Sequence, residues 1–350
     1  MAQDRCRSER PALRALANGE IVRCHFAEDT SSMGVVGPRD TRATTPAGTP
    51  VLSLQQLGVS YARPRIMDQL LGRKPARTLT VQGIDLDILP GETVALVGES
   101  GSGKSSILKA VAGLWPPAEG RVGFGGKAAL GASVETRSRK DLQRIQLIFQ
   151  NPDDSLNPRQ TIADILAQPL ELYFGLTRGE IHTRSVALLE RVRLGAHYLD
   201  RLPNQLSGGE KQRVAIARAF AAEPELVLCD EVTSALDVSV QAAVLDLLDE
   251  LRSQRGTAYL FVSHDLAVVR ALAHRVAVLY QGRLCEVGPA AAVYASPSHP
   301  YTEVLLGAVL EPDPDHRPGT GARVAAGEGL RPSSGRKPWL AKVCQQHPPG

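Results

Sequence analysis

The apolar run Thr93-Val94-Ala95-Leu96-Val97 leads directly into Gly98-Glu99-Ser100-Gly101-Ser102-Gly103-Lys104-Ser105, and a helical pattern opens behind it. Strand, glycine-rich loop and helix in this order are what a phosphate-binding P-loop requires, and they commit the chain to an α/β core with the loop at a strand end. Gly98, Gly101 and Gly103 let the backbone bend around Ser100 and Ser102, so that successive N–H groups and the helix N-terminus face the phosphates. Lys104 adds a point charge toward the terminal phosphate, Ser105 can ligate magnesium, and Ser106 completes the nucleotide-binding set. The expected ligands are a nucleoside triphosphate and Mg2+.

Composition narrows the class without naming a substrate. The 350 residues can bury one sizeable core and leave room for tails. Forty basic and 37 acidic residues give a net charge of only +3, spread without a long Lys/Arg block, so no nucleic acid is expected as a partner. The apolar windows fall short of the roughly 18 to 20 residues that span a bilayer, and Met1 to Cys6 has no signal-peptide core; a soluble protein that stays inside the cell is expected. Cys6, Cys24, Cys229, Cys285 and Cys344 lie far apart without a CxxC pair, against a disulfide framework.

Residues 27–50 are rich in Thr, Ser, Pro and Gly, and residues 311–350 carry many Pro and Gly, so both read as linkers or tails. The folded body is about 51–310. It opens with alternating strands over Val51 to Tyr61 and Leu79 to Ile88, ahead of a Pro90-Gly91 turn. Residues 160–200 show helical spacing, with interruptions expected at Pro169 and Gly175. After Gly209 the pattern runs helix, strand (Leu226 to Cys229), helix, strand (Tyr259 to Val262), then a hairpin turning at Gln281-Gly282. Alternating β and α elements predict a mostly parallel sheet with helices on both faces.

A second constellation sets the subclass. Ser207 and Glu210 in Leu206-Ser207-Gly208-Gly209-Glu210 have capping-box spacing ahead of an amphipathic helix that Pro224 ends. Gly208 and Gly209 exceed what a cap needs; without side chains they pack nothing and would admit a phosphate to the helix N–H groups. The next strand delivers Asp230 and Glu231 to the carboxyl edge of the sheet, where open α/β folds bind ligands. Asp230 suits a magnesium shell, and Glu231 is placed to polarise a water.

Across about residues 51–310 the chain resembles the ATP-binding subunit of ATP-binding cassette (ABC) transporters: a P-loop NTPase core, an antiparallel β subdomain and an α-helical signature subdomain at about 151–205. The resemblance rests on Walker A at 98–105, the Q-loop glutamine Gln150, the LSGGE signature at 206–210, Walker B ending at Asp230, the adjacent Glu231, the D-loop Ser234-Ala235-Leu236-Asp237, and the switch histidine His264. It implies ATP hydrolysis, with Glu231, His264 and Gln150 catalytic and Ser105, Gln150 and Asp230 around magnesium. Tyr61 would stack on adenine, Ser207 and Gly209 would contact the γ-phosphate held by a second cassette, in a homo- or heterodimer, and Gly208 and Asp237 would join the nucleotide-binding residues. Val232 stands where this superfamily more often has proline. The segment 151–159 would pass the signal to transmembrane permease subunits, served indirectly by a solute-binding protein, with the chain peripheral on the cytoplasmic face of the inner membrane.

Ser296 to Thr302, with His299-Pro300-Tyr301, and Ser234 to Gln241 are similar to the oligopeptide, dipeptide and nickel importer ATPases; by itself His-Pro-Tyr asks only for a turn with one packed aromatic. The C-terminal segment would cover about 285–310. Cys6 to Phe26 resembles the end of such an ATPase, as though residues 1–50 were the tail of a preceding cassette, and Cys6 and Cys24 match two of four cysteines that bind an iron–sulfur cluster in some relatives. Two ligands cannot complete it, and Cys344 lacks cysteine neighbours, so no cluster is expected. Two other functions fit the same motifs: the ATP-binding accessory protein of phosphonate carbon–phosphorus lyase, and a soluble ABC ATPase of translation or DNA repair.

Overall fold

The structure, a computed structural model, describes residues 14–15, 21–22, 48–61, 79–234 and 236–308. The chain divides into residues 1–40 and 41–350. In the first unit β1 (Arg14–Ala15) pairs antiparallel with β2 (Ile21–Val22). Cys6, Cys24, Cys344, Ala235 and the linker and tail expectations for 27–47 and 311–350 lie outside the described residues.

Among the described residues the second unit contains two sheets. In the smaller, β3 (Leu52–Val59) lies between β4 (Val81–Ile88) and β6 (Glu119–Phe124), antiparallel to both. The larger is built from β5 (Thr93–Val97), β7 (Ile145–Ile148), β8 (Leu226–Asp230), β9 (Ala258–Val262), β10 (Arg275–Tyr280) and β11 (Arg283–Pro289), in the order β11-β10-β5-β9-β8-β7. Its pairings are parallel except the β10–β11 hairpin, whose Gln281-Gly282 turn has both residues at positive φ, as a two-residue loop between twisted strands demands. The mostly parallel sheet and the antiparallel subdomain are both as the sequence predicts.

The central strands are continuous apolar runs because both their faces are covered. Val227, Cys229, Tyr259 and Phe261 enter one core cluster, while Leu226, Leu228, Leu260 and Val262 enter another, alternating residue by residue. The second cluster includes Ile107 and Leu108 of α1 (Lys104–Ala112) and the strands of the small sheet; α2 (Arg139–Arg144) precedes β7. The first cluster draws on α3 (Ile162–Phe174), α4 (Arg178–Arg191), α5 (Gly208–Ala221) and α6 (Val238–Arg255). A third, around Val97, Val276 and Val278, takes in α7 (Leu266–Leu272), α8 (Ala290–Ala295) and α9 (Pro300–Gly307).

One expectation fails. Pro169 does not interrupt the helical stretch; it sits inside α3, buried with Ile162, Ile165, Leu166 and Leu170. Each such side chain contributes about 1.5–3 kcal/mol when fully buried, enough together to offset one missing N–H and the local clash. Gly175 does end the helix, in the left-handed conformation, its N–H donating to the Glu171 carbonyl.

The strand order brings the chemistry-bearing segments together. In register, Leu96 faces Val262, Asp230 faces Val262 and Ile148 faces Cys229, so β5, β9, β8 and β7 finish at one edge. Within two residues of those ends come Gly98, His264, Glu231 and Gln150. No helix of the described residues is long and apolar enough to cross a membrane.

Candidate active site

The P-loop is fixed from both sides. Gly98 has φ 148°, and a Cβ there would stand 2.1 Å from the Leu279 carbonyl oxygen of β10, so no larger residue fits. Gly103 is the N-cap of α1 in left-handed geometry, whereas Ser100 and Gly101 are exposed. Lys104 is buried, and its Nζ donates to the Gly98 and Glu99 carbonyls, 2.7 Å each. Burial lowers its pKa against the opposing pull of Glu231, Asp230 and Glu99.

Ser105 Oγ donates to Asp230 Oδ1 at 3.0 Å, joining the start of α1 to the end of β8. Burial raises the Asp230 carboxyl, with the Ser105 bond and the lysines opposing. A hydroxyl and a carboxylate converging beside the phosphate loop form an all-oxygen donor set that fits magnesium.

Glu231 leaves β8 with φ 47°, its N–H donating to the Val262 carbonyl at 3.0 Å. That left-handed backbone costs a non-glycine residue about 1–3 kcal/mol and turns the side chain out of the strand. On its Oε2 two groups meet: His264 Nδ1 at 3.2 Å and Gln150 Nε2 at 3.0 Å. Gln150 Nε2 also reaches Ser234 Oγ at 3.4 Å, and that hydroxyl donates to the Glu231 carbonyl at 3.0 Å. Asp237 is the N-cap residue of α6 without a side-chain capping bond.

Tyr61 donates its hydroxyl to Ser106 Oγ at 3.0 Å, and its ring lies 4.9 Å from that of Trp115. Trp115 in turn donates Nε1–H to the Ser60 carbonyl at 2.9 Å. Trp115, just past the Gly113 cap of α1, is missing from the sequence-derived set, because no local pattern pairs it with Tyr61 54 residues away.

The capping box at the signature forms as predicted. Ser207 precedes α5, its Oγ and N–H both donate to Glu210 Oε2, at 2.8 and 2.7 Å, and the Glu210 N–H returns to Oγ at 3.4 Å. Glu210 Oε1 accepts the Tyr198 hydroxyl, and the Arg201 guanidinium stacks 4.4 Å from the Tyr198 ring. The Tyr198 bond, then the Ser207 backbone, hold the Glu210 carboxyl down at about 2. The two glycines differ. A Cβ on Gly208 would meet nothing, whereas one on Gly209 would stand 2.5 Å from Val240 Cγ1 of α6, so Gly209 does serve packing, contrary to expectation.

Residues 81–234 match the ABC transporter family, and residues 285–335 match the oligopeptide/dipeptide transporter C-terminal region. A Brucella abortus (strain 2308) protein, provisionally named as a peptide import ATP-binding protein, is 42% identical over 292 residues, covering 81% of this chain and 84% of its own length. The oligopeptide transport ATP-binding protein OppF of Salmonella typhimurium is 45% identical over 69% of this chain and 73% of its own. Among solved structures, the ATP-binding cassette MJ0796, a post-hydrolysis dimer bound to ADP and phosphate, superposes with a TM-score of 0.58 at 29% identity, over 68% of this chain and 98% of that one. With the phosphate loop, the paired carboxylates and the capped glycine turn laid out in this order on this sheet, and with relatives of this closeness, the chain belongs to the ATP-hydrolysing subunits of the ABC transporter family.

Proposed function

We propose that this chain powers uptake of peptides or related small solutes, from the cytoplasmic face of the inner membrane and through partner permease subunits. The observation that carries the chemistry is the convergence of Gln150 and His264 on one oxygen of Glu231, beside the Ser105–Asp230 pair. The names of the relatives and the oligopeptide/dipeptide match at 285–335 support the solute class. Neither the lyase accessory role nor a translation or repair role draws support from them.

The P-loop amides from Ser100 to Ser105 and Lys104 would hold the phosphates, with Tyr61 against the adenine. Ser105 and Asp230, joined by Gln150, would hold magnesium, which when bound offsets charge on the phosphate oxygens. A water oxygen attacks the γ-phosphorus in line as the bond to the β-phosphate oxygen breaks; Glu231 orients the water and takes its proton, while ADP leaves with the electron pair. His264 would contact the γ-phosphate. Ser207, Gly208 and Gly209 would reach the γ-phosphate held on a second cassette, with Asp237 at the same junction, and the dimeric state of MJ0796 supports that arrangement. Residues 51–310 would be the cassette, 151–205 its helical subdomain, and 1–50 the tail of a preceding cassette.

Glu231→Gln tests the chemistry. It preserves shape and removes the base, so turnover should fall about 10²- to 10⁴-fold while ATP affinity by calorimetry persists. Turnover within about twofold of wild type would remove Glu231 from the mechanism.

A further inference from the structure

The His-Pro-Tyr segment does more than pack. Glu286 of β11, 3% exposed, accepts from the Ser298 and His299 N–H groups at 2.9 and 3.1 Å. His299 Nδ1 accepts from the Tyr301 N–H at 3.1 Å and so caps α9. These bonds plant the Tyr301 ring, also 3% exposed, at 4.3 Å from the ring of Tyr280. From there the Tyr301 hydroxyl accepts the N–H of Glu99, 202 residues away in the P-loop, at 3.0 Å.

That N–H belongs to the same peptide unit as the Gly98 carbonyl, to which Lys104 donates. All described peptides are trans, and in a trans peptide N–H and C=O point to opposite sides, so Tyr301 holds one end of the unit and Lys104 the other. Gly98, lacking a Cβ, offers little torsional resistance to rotating this unit. The phenol is therefore the constraint from the N–H side, beside the Lys104 bond itself, that keeps the carbonyl facing the lysine.

We propose that Tyr301 is a positioning residue of the nucleotide site: its hydroxyl fixes the Gly98–Glu99 peptide, and with it Lys104, so that the C-terminal segment shapes the phosphate loop. This role rests on ATP being the ligand of that loop. Tyr301→Phe in the full chain keeps the ring and removes only the acceptor. The ATP dissociation constant should rise about three- to tenfold with kcat at saturating ATP within about twofold, and exchange of the Glu99 amide should accelerate by about tenfold or more. Tyr280→Phe, which alters a stacked neighbour whose hydroxyl accepts from Gln281, should leave both unchanged. Wild-type ATP affinity together with unchanged Glu99 exchange in Tyr301→Phe would overturn the proposal and leave the ring a packing residue. If the wild-type chain itself bound no ATP, the ATPase reading would fall, and the exchange of the Glu99 amide would still decide whether Tyr301 holds the loop.

Discussion

The P-loop and the signature turn are both glycine-rich entries to helices, yet the protein treats them oppositely. Ser102, Lys104 and Ser106 are buried, and the loop is packed closely on β10 at Gly98, bonded to the C-terminal segment through Glu99 and to β8 through Ser105. At the signature, Ser207 and Gly208 are exposed, and the side-chain hydroxyl and the N–H of Ser207 bond only to Glu210 of its own capping box, while its carbonyl accepts the Lys211 N–H within the helix. One is half of a site already folded against its neighbours; the other is a rigid, capped surface whose open side faces away from its own core. The contrast fits the proposed head-to-tail pairing, in which only the second surface needs another chain.

Mixing experiments would break the contrast most decisively. A Ser207→Arg chain keeps its own P-loop, and a Lys104→Ala chain keeps its own signature, so each alone should lose turnover by about 100-fold or more. Combined, they restore one intact composite site, and activity should return to at most about half the wild-type level. Wild-type turnover by Ser207→Arg alone would show that the signature does not act in trans.

The two signature glycines sharpen it within one turn of helix. Gly209→Ala drives a Cβ against Val240 and should destabilise the fold by about 1–3 kcal/mol in denaturant unfolding. Gly208→Ala enters open space and should change stability by no more than about 0.5 kcal/mol, while lowering turnover on the trans reading. Equal destabilisation by both would mean that the approach of α6 is not what distinguishes them.

The smallest effect concerns Glu210. With Tyr198→Phe its carboxyl should titrate well above about 2, toward the ordinary 4.5, in a carbon-detected NMR titration. Because the folded-state value is depressed, the stabilisation is fully present above about pH 4.5 and lost as pH falls toward about 2, so the variant should show a shallower loss of stability across that window. An unchanged titration would show that the Ser207 contacts alone hold the carboxylate.

What is legible in the sequence is local. The P-loop, the strand carrying Asp230 and Glu231 and the capping box each lie within about ten consecutive residues, where periodicity and turn chemistry speak directly. The strands at 51–61 and 79–88 and the hairpin at Gln281-Gly282 follow from alternation and turn residues, whereas an antiparallel subdomain is implied only by the family resemblance. Pro169 defeats a local reading because tertiary burial of one helix face outweighs a local penalty. Tyr301 on Glu99, Trp115 against Tyr61 and Tyr198 on Glu210 have no local signal: they pair residues 202, 54 and 12 positions apart, brought together by packing of separate elements.

The backbone of Glu231 has an evolutionary consequence. A glycine at that position would relax its left-handed geometry and leave the last strand residues undisturbed. A population screened for heat resistance alone should therefore accumulate Glu231→Gly chains, inactive on the proposed mechanism. Retention of the glutamate at position 231 under such a screen would require a second selection, for turnover.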